Sequence, residues 1–270
     1  MKKRIIALVL GTVLAVSALT GCGASESDDS TIVVGASVTP HSEILEIARP
    51  LLEEAGYTLE IVEFTDYVLP NTTLDEGELD ANFFQHLPYL ENFNEENGTD
   101  LVSVAEIHFE PFGIYAGKSD DLSAIQDGAT IAVPNDTTNE ARALLLLEAE
   151  GLITVDPDAG LTATVVDIID NPYNLDIIEI EAAQLVRTLS DVDFACINGN
   201  YALEGGLSVS DAVATESADS VGAETFANIL VVQAGSEEDA KILALIEALQ
   251  SDEVRTFIEE TYDGAVVPVF

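Results

Sequence analysis

Apolar and polar positions follow two alternating rhythms along this 270-residue chain. Short runs rich in β-branched and aromatic residues, at 31–35, 59–64, 79–83, 101–106, 130–133, 177–180, 193–197 and 228–233, predict strands. Between them apolar residues recur at helical spacing. Thr39 can cap a helix that begins at Pro40, carries Ile44, Leu45, Ala48, Leu51, Leu52 and Ala55 on one face, and stops at Gly56. A short helix is expected near Tyr67. A longer one covers 87–97, with Gly98 as its stop. Thr137 and Glu140 have capping-box spacing at the head of a helix that ends at Gly151. Further helices are expected near 182–189, over 237–250 and over 252–262. Strands alternating with helices predict an α/β protein with mainly parallel sheets. Ligands of such folds lie beyond the carboxyl ends of the strands. The polar residues at 37–41, 85–86, 135–142 and 198–201 therefore draw attention.

The first 30 residues have a different character. Lys2, Lys3 and Arg4 precede an apolar run from Ile5 to Leu19, and Leu19-Thr20-Gly21-Cys22 follows. This is the layout of a secretory signal, too short and wrongly flanked for a permanent span. The Cys after small residues looks like a bacterial lipobox, with residues 1–21 removed and a lipid (palmitate) on Cys22. Residues 22–30 then form a small, polar, acidic tether. Its eight residues after Cys22 reach at most about 29 Å, so the folded body stays near the membrane.

Charge narrows the classes further. Three of the nine basic residues precede Cys22, which leaves six against 50 acidic residues, a formal charge of −44. No basic footprint for nucleic acid remains, and a zwitterionic or cationic small ligand suits the field better than an anion. Once Cys22 is acylated only Cys196 is left, inside the apolar run 194–197, where it reads as a buried inert thiol.

Three segments could carry chemistry. Residues 81–90 pack Asn82, Phe83, Phe84, Gln85, His86 and Tyr89 at a strand-to-helix junction, either as an aromatic pocket or as core with His86 capping the helix. Arg142 lies near a helix N-terminus, where it can hold a carboxylate through its two-pronged fork or join a surface ion pair. Asn198, Gly199 and Asn200 leave an apolar strand, as amide ligands or as a turn held by its own side chains. Catalytic patterns are missing, and His41, His86 and His108 lack the close spacing of metal ligands.

Together these segments resemble the methionine-binding lipoproteins of bacterial uptake transporters, the MetQ/NlpA family. The motifs are His41-Ser42-Glu43-Ile44-Leu45, Glu63-Phe64-Thr65-Asp66-Tyr67, the run from Glu78 to His86, the run from Thr138 to Leu144, Ile197-Asn198-Gly199-Asn200-Tyr201-Ala202 and Gly264-Ala265-Val266-Val267-Pro268. Ser37-Val38 departs from the family's frequent Thr-Pro, and the acidity is unusual. The resemblance implies a type II periplasmic-binding-protein fold, two α/β lobes joined by two crossing hinge strands near 110–117 and 226–233. Lobe 1 would comprise 31–112 and the returning 229–270, and lobe 2 would comprise 113–228. It implies that Arg142 holds the ligand carboxylate with Asn139 beside it, that Asn198 and Asn200 contact the amino-acid end, and that Tyr67, Phe84, His86 and Tyr89 line the side-chain pocket. The expected protein is a monomeric, non-enzymatic, cofactor-free and metal-free receptor on the outer face of a membrane. It would deliver methionine, chiefly L-methionine, to an ABC transporter permease. D-methionine, a short methionine peptide or another small amino acid are the alternatives within this fold. A surface hydrolase and a metal-binding lipoprotein are the alternatives outside it.

Overall fold

A computed structural model describes residues 30–216 and 225–270. The signal-peptide segment and the lipidation site Cys22 lie outside the described residues, as does all of the tether but Ser30. The elements are β1 (Thr31–Ser37), α1 (Glu43–Glu54), β2 (Thr58–Phe64), α2 (Leu69–Asp75), β3 (Ala81–His86), α3 (Leu87–Asn97), β4 (Val102–Phe109) and β5 (Gly113–Ala116). They continue with β6 (Thr130–Pro134), α4 (Thr137–Ala149), β7 (Thr154–Val155), β8 (Ile168–Asp170), β9 (Asp176–Ile180), α5 (Leu185–Thr188) and β10 (Phe194–Ile197). The chain closes with α6 (Gly199–Glu204), β11 (Ala212–Thr215), β12 (Asn228–Val232), α7 (Ala240–Leu249), α8 (Asp252–Thr261) and β13 (Val267–Pro268).

Two larger sheets organise the chain. The first has the order β13-β4-β12-β3-β1-β2 and the second β11-β5-β10-β6-β9. Both are mixed rather than mainly parallel. β1 pairs in parallel with β2 and β3, and β6 with β9 and β10, as the strand–helix alternation predicts. The antiparallel partners β4, β12, β5 and β11 lie on either side of the two passages between the sheets. The chain changes sheet at 110–112 and again between Thr215 and Asn228. Each sheet therefore gains strands of opposite direction next to its parallel half. Asn228–Val232 is itself a strand of the first sheet, and Gly113–Ala116 a strand of the second.

Each sheet has its own core. Ile32 and Val34 on β1 pack with Ile44, Leu45 and Leu52 of α1 and with Ile242, Leu245, Val254 and Ile258 of α7 and α8. In the second sheet Ile131, Val133 and Phe194 meet Ala141, Leu144 and Leu147 of α4. Cys196 is fully buried in that core, and burial pushes its thiol pKa up, as expected of an inert thiol.

Helix starts differ from the sequence reading at two points. Thr39 is extended, the α-helix begins at Glu43, and the Thr39 hydroxyl donates to the Glu43 carboxylate instead of capping a helix at Pro40. At α4 the N-cap is Asp136, whose carboxylate accepts the Asn139 N–H. Glu140 turns away to accept the Val165 N–H, so the capping box read at Thr137 does not form. By contrast α3 runs as expected, with His86 at its N-cap and Gly98 left-handed at φ 69° as its stop.

Candidate functional site

The cleft between the sheets is walled by the residues that follow four strands. His86 ends β3, Glu110 follows β4, Asn139 lies just beyond β6 and Asn198 just beyond β10. All eight residues singled out from the sequence line one cavity: Tyr67, Phe84, His86, Tyr89, Asn139, Arg142, Asn198 and Asn200. Gln85, Glu110, Gly199 and Asn228 complete the lining. The space between atoms is about 340 Å³, counted to the open mouth.

The first sheet supplies an aromatic box. The rings of Tyr67, Phe84 and Tyr89 have centroids 5.9–6.0 Å apart, with Tyr67 and Phe84 tilted and Tyr89 nearly perpendicular to both. Tyr89 Oη donates to the Tyr67 carbonyl at 2.9 Å, fixing one wall to the other. Beneath the box, Asn71, Asn82 and Gln85 form a buried amide network that ties α2 to β3, with Gln85 Nε2 donating to Asn71 Oδ1 at 2.6 Å. His86 serves both of its readings. Its Nδ1 accepts the Tyr89 N–H as helix cap, and its Nε2 faces Asn139 Oδ1 at 3.2 Å. Burial, reinforced by the Arg142 charge, lowers its pKa to about 3. The ring is therefore neutral, with its proton on Nε2 donated across the cleft.

The second sheet supplies amides and a guanidinium. Asn198 Nδ2 donates to Asn139 Oδ1 at 2.8 Å, and Asn139 Nδ2 to Asp136 Oδ1 at 2.8 Å. Tyr67 Oη donates across the cleft to Asn200 Oδ1 at 2.5 Å. These bonds leave Asn198 Oδ1 and Asn200 Nδ2 buried and without partners, one acceptor and one donor. Each such orphan costs about 1–3 kcal/mol. Gly199 is required between them, because a Cβ there would lie 2.7 Å from Glu110 Cβ.

Arg142 is almost wholly buried, and its fork is already in use. Nε donates to Glu216 Oε1 at 2.9 Å, and one Nη to Glu216 Oε2 at 2.6 Å and to the Glu110 carbonyl at 3.0 Å. The guanidinium also lies over the Phe226 ring at 4.3 Å and the Phe112 ring at 5.1 Å, favourable cation–π geometry. The fork edge expected for a ligand carboxylate thus faces Glu216, and Nη1 is the nitrogen with no bond among the described residues.

Glu110 lies at the back of the cavity. His108 Nε2 is 2.7 Å from its Oε1 and His41 Nε2 3.6 Å. Burial raises its pKa, opposed by His41, the Asn200 N–H and Arg142. His41 and His108, spread over the sequence, are brought together here, while His86 stays apart. Among the described residues they form with Glu110 the one group placed to hold a metal ion. The contacts are those of a hydrogen-bonded cluster instead. His41 Nε2 is 2.9 Å from the acceptor Asn228 Oδ1 and so carries a proton rather than a free lone pair. Burial lowers the pKa of His41 to about 4 and of His108 to about 3, which keeps both neutral. Glu110 had one sequence signal, a lone carboxylate between Phe109 and Pro111 in an otherwise apolar run. Glu216 had none in so acidic a chain.

Comparison with known proteins agrees with this geometry. Residues 32–270 match the family described as NlpA lipoprotein. The chain is 42% identical to the methionine-binding lipoprotein MetQ of Bacillus subtilis, over 97% of this chain and 98% of the relative. A nutrient binding protein from Burkholderia cenocepacia, solved bound to methionine, superposes with a TM-score of 0.85 at 43% identity, covering 88% of this chain and 100% of that one. The substrate binding protein of a methionine transporter from Streptococcus pneumoniae gives 0.83 at 38% identity, covering 89% and 96%. The chain belongs to the NlpA lipoprotein family and has the two-sheet α/β fold of the periplasmic substrate-binding proteins; it is a transporter's binding protein, not an enzyme.

Proposed function

We propose that this protein captures methionine, L-methionine first, as the lipid-anchored receptor of an ABC importer. One observation carries the reading: donors and acceptors stand unmatched side by side in a buried cavity. Asn200 Nδ2 is a buried donor and Asn198 Oδ1 a buried acceptor without partners, and Arg142 and Glu110 stand on the same lining. An α-amino acid zwitterion has the complementary set. Its carboxylate meets Arg142 and Asn200, beside Asn139, and its ammonium meets Glu110 and Asn198. The thioether lies in the box of Tyr67, Phe84, His86 and Tyr89, where sulfur against rings is favourable. The names of the relatives, methionine-binding and methionine-bound, support the same ligand.

Capture is a closure. Residues 31–112 with 228–270 act as one lobe and the second sheet with its helices as the other, turning about the two passages between sheets. His86–Asn139, Tyr67–Asn200 and Tyr201 Oη to the Thr65 carbonyl bridge the lobes in the closed form. Cys22 is the anchor point, in keeping with relatives named membrane lipoproteins, and no described helix is long and apolar enough to cross a membrane. The anchor holds the receptor beside its permease.

A thermal-shift and calorimetric series tests this, with L-methionine, D-methionine, norleucine, alanine and a methionine dipeptide. Binding to the native state raises the melting temperature. L-methionine should give the largest shift. No shift with any methionine compound would overturn the proposal.

A further inference from the structure

The Arg142–Glu216 pair has a feature that ligand capture alone does not require. The guanidinium has five N–H donors. Glu216 takes the Nε donor and one Nη donor, and the Glu110 carbonyl takes another. Both partners are largely removed from water, with side-chain exposures of 4% for Arg142 and 13% for Glu216. Glu216 is fixed in turn by the first passage between the sheets. Its N–H donates to the Phe112 carbonyl at 2.9 Å, and its Oε2 accepts the Phe112 N–H at 3.2 Å. One residue thus joins both passages to the guanidinium.

Charge follows from this geometry. Arg142 and Glu216 neutralise one another behind the cavity wall. His41 and His86 are neutral. Glu110 is the remaining carboxylate on the lining, and the cation that shares the lining with it, Arg142, is already paired with Glu216.

We infer that Glu216 is a positioning and specificity-determining residue: it orients Arg142 so that only Nη1 faces the ligand, and it cancels the guanidinium charge so that the site selects ligands carrying an ammonium group and rejects plain carboxylates. The inference rests on the amino-acid reading of the cavity. Without Glu216, Arg142 would present its whole charge and fork, and any carboxylate with a thioether tail would bind well.

Two measurements test it on the full-length protein. In the wild type, calorimetry compares L-methionine with its amide, which keeps the ammonium, and with 4-(methylthio)butanoate, which keeps only the carboxylate. The amide should bind more tightly than the deamino acid by about tenfold, the size of a charge-assisted hydrogen bond. The reverse order overturns the inference without any variant having to fold. In Glu216→Gln, the preference for L-methionine over 4-(methylthio)butanoate should fall by about tenfold, and Glu216→Asp should restore part of it. A merely structural role would weaken both ligands together, leave their ratio unchanged and sink the inference. If wild-type protein bound none of the three ligands, the amino-acid reading itself would fail and the role of Glu216 with it. Binding of L-methionine with unchanged ratios would remove only the role of Glu216.

Discussion

The two walls of the cleft are built from opposite chemistry. The wall from the first sheet is aromatic, with Tyr67, Phe84 and Tyr89 meeting edge to face or tilted. The wall from the second sheet is amide and guanidinium: Asn139, Arg142, Asn198 and Asn200. Apolar contact is non-directional and tolerates small changes of shape. A buried charge or amide demands a partner at one place. The first wall therefore sets how long and how flat a side chain can be. The second sets whether a molecule is an amino acid at all. Neither wall closes a site alone, so the proposed capture makes binding and lobe closure one event.

That contrast predicts unequal costs. Arg142→Ala should do the most damage. It removes the carboxylate's cation and also leaves Glu216 without its partner. Loss of one member of a buried charge pair costs about 2–5 kcal/mol. Affinity for every amino acid should fall together, by calorimetry. A variant that lost methionine but kept alanine would place Arg142 on the side-chain end and break the comparison.

Tyr67→Phe comes next, because Tyr67 is the aromatic that reaches across to the amide wall. Removing its hydroxyl leaves Asn200 Oδ1 unpaired, at about 1–3 kcal/mol. The bond spans the lobes in the closed form, so the loss should appear as faster ligand release in stopped-flow measurements, with association little changed. Equal slowing of association would mean the bond already exists before closure. Phe84→Leu should cost least, about 0.5–1.5 kcal/mol for a lost ring contact. It should weaken methionine while sparing alanine.

The sequence revealed the two walls unequally. The aromatic wall comes from two nearby segments, 67 and 84–89, so its members are visible close to one another. The amide wall was legible as two separate motifs, around Asn139–Arg142 and Asn198–Asn200. What joins them was not. Arg142 meets the Glu110 carbonyl 32 residues away and Glu216 74 residues away, and 50 acidic residues offered equal claims to pair with it. His41 and His108 meet on Glu110 only because the sheet order sets β4 near β1, with the two strands β12 and β3 between them. Strand direction was hidden for a related reason. Periodicity predicts that a segment is a strand, while the two passages between sheets decide which way it runs. At the start of α4 the helix was read one residue late and the capping box does not form, because Asp136 takes the Asn139 N–H and Glu140 takes the Val165 N–H.

The last prediction concerns stability rather than affinity and lies behind the amide wall, where α4 carries Glu140. Burial, reinforced by the neighbouring Glu179, raises its pKa from 4.5 to about 7, against the Val165 N–H that favours its charged form. An acid with a raised folded-state pKa destabilises the fold above that pKa. The penalty shrinks as pH falls from about 7 and is gone below about 4.5. The three buried histidines act the other way below pH 6.5, since each must charge on unfolding. Wild-type melting curves therefore mix the two signs, and the useful quantity is the difference between Glu140→Gln and wild type at each pH. Gln keeps an acceptor for Val165 and has no charge to bury. The variant should melt higher at pH 8, and its advantage should vanish by pH 4.5. An advantage constant across that range would mean that repacking, not the carboxylate's proton, is responsible. Methionine affinity should be the same in both proteins, because Glu140 turns from the cavity toward Val165.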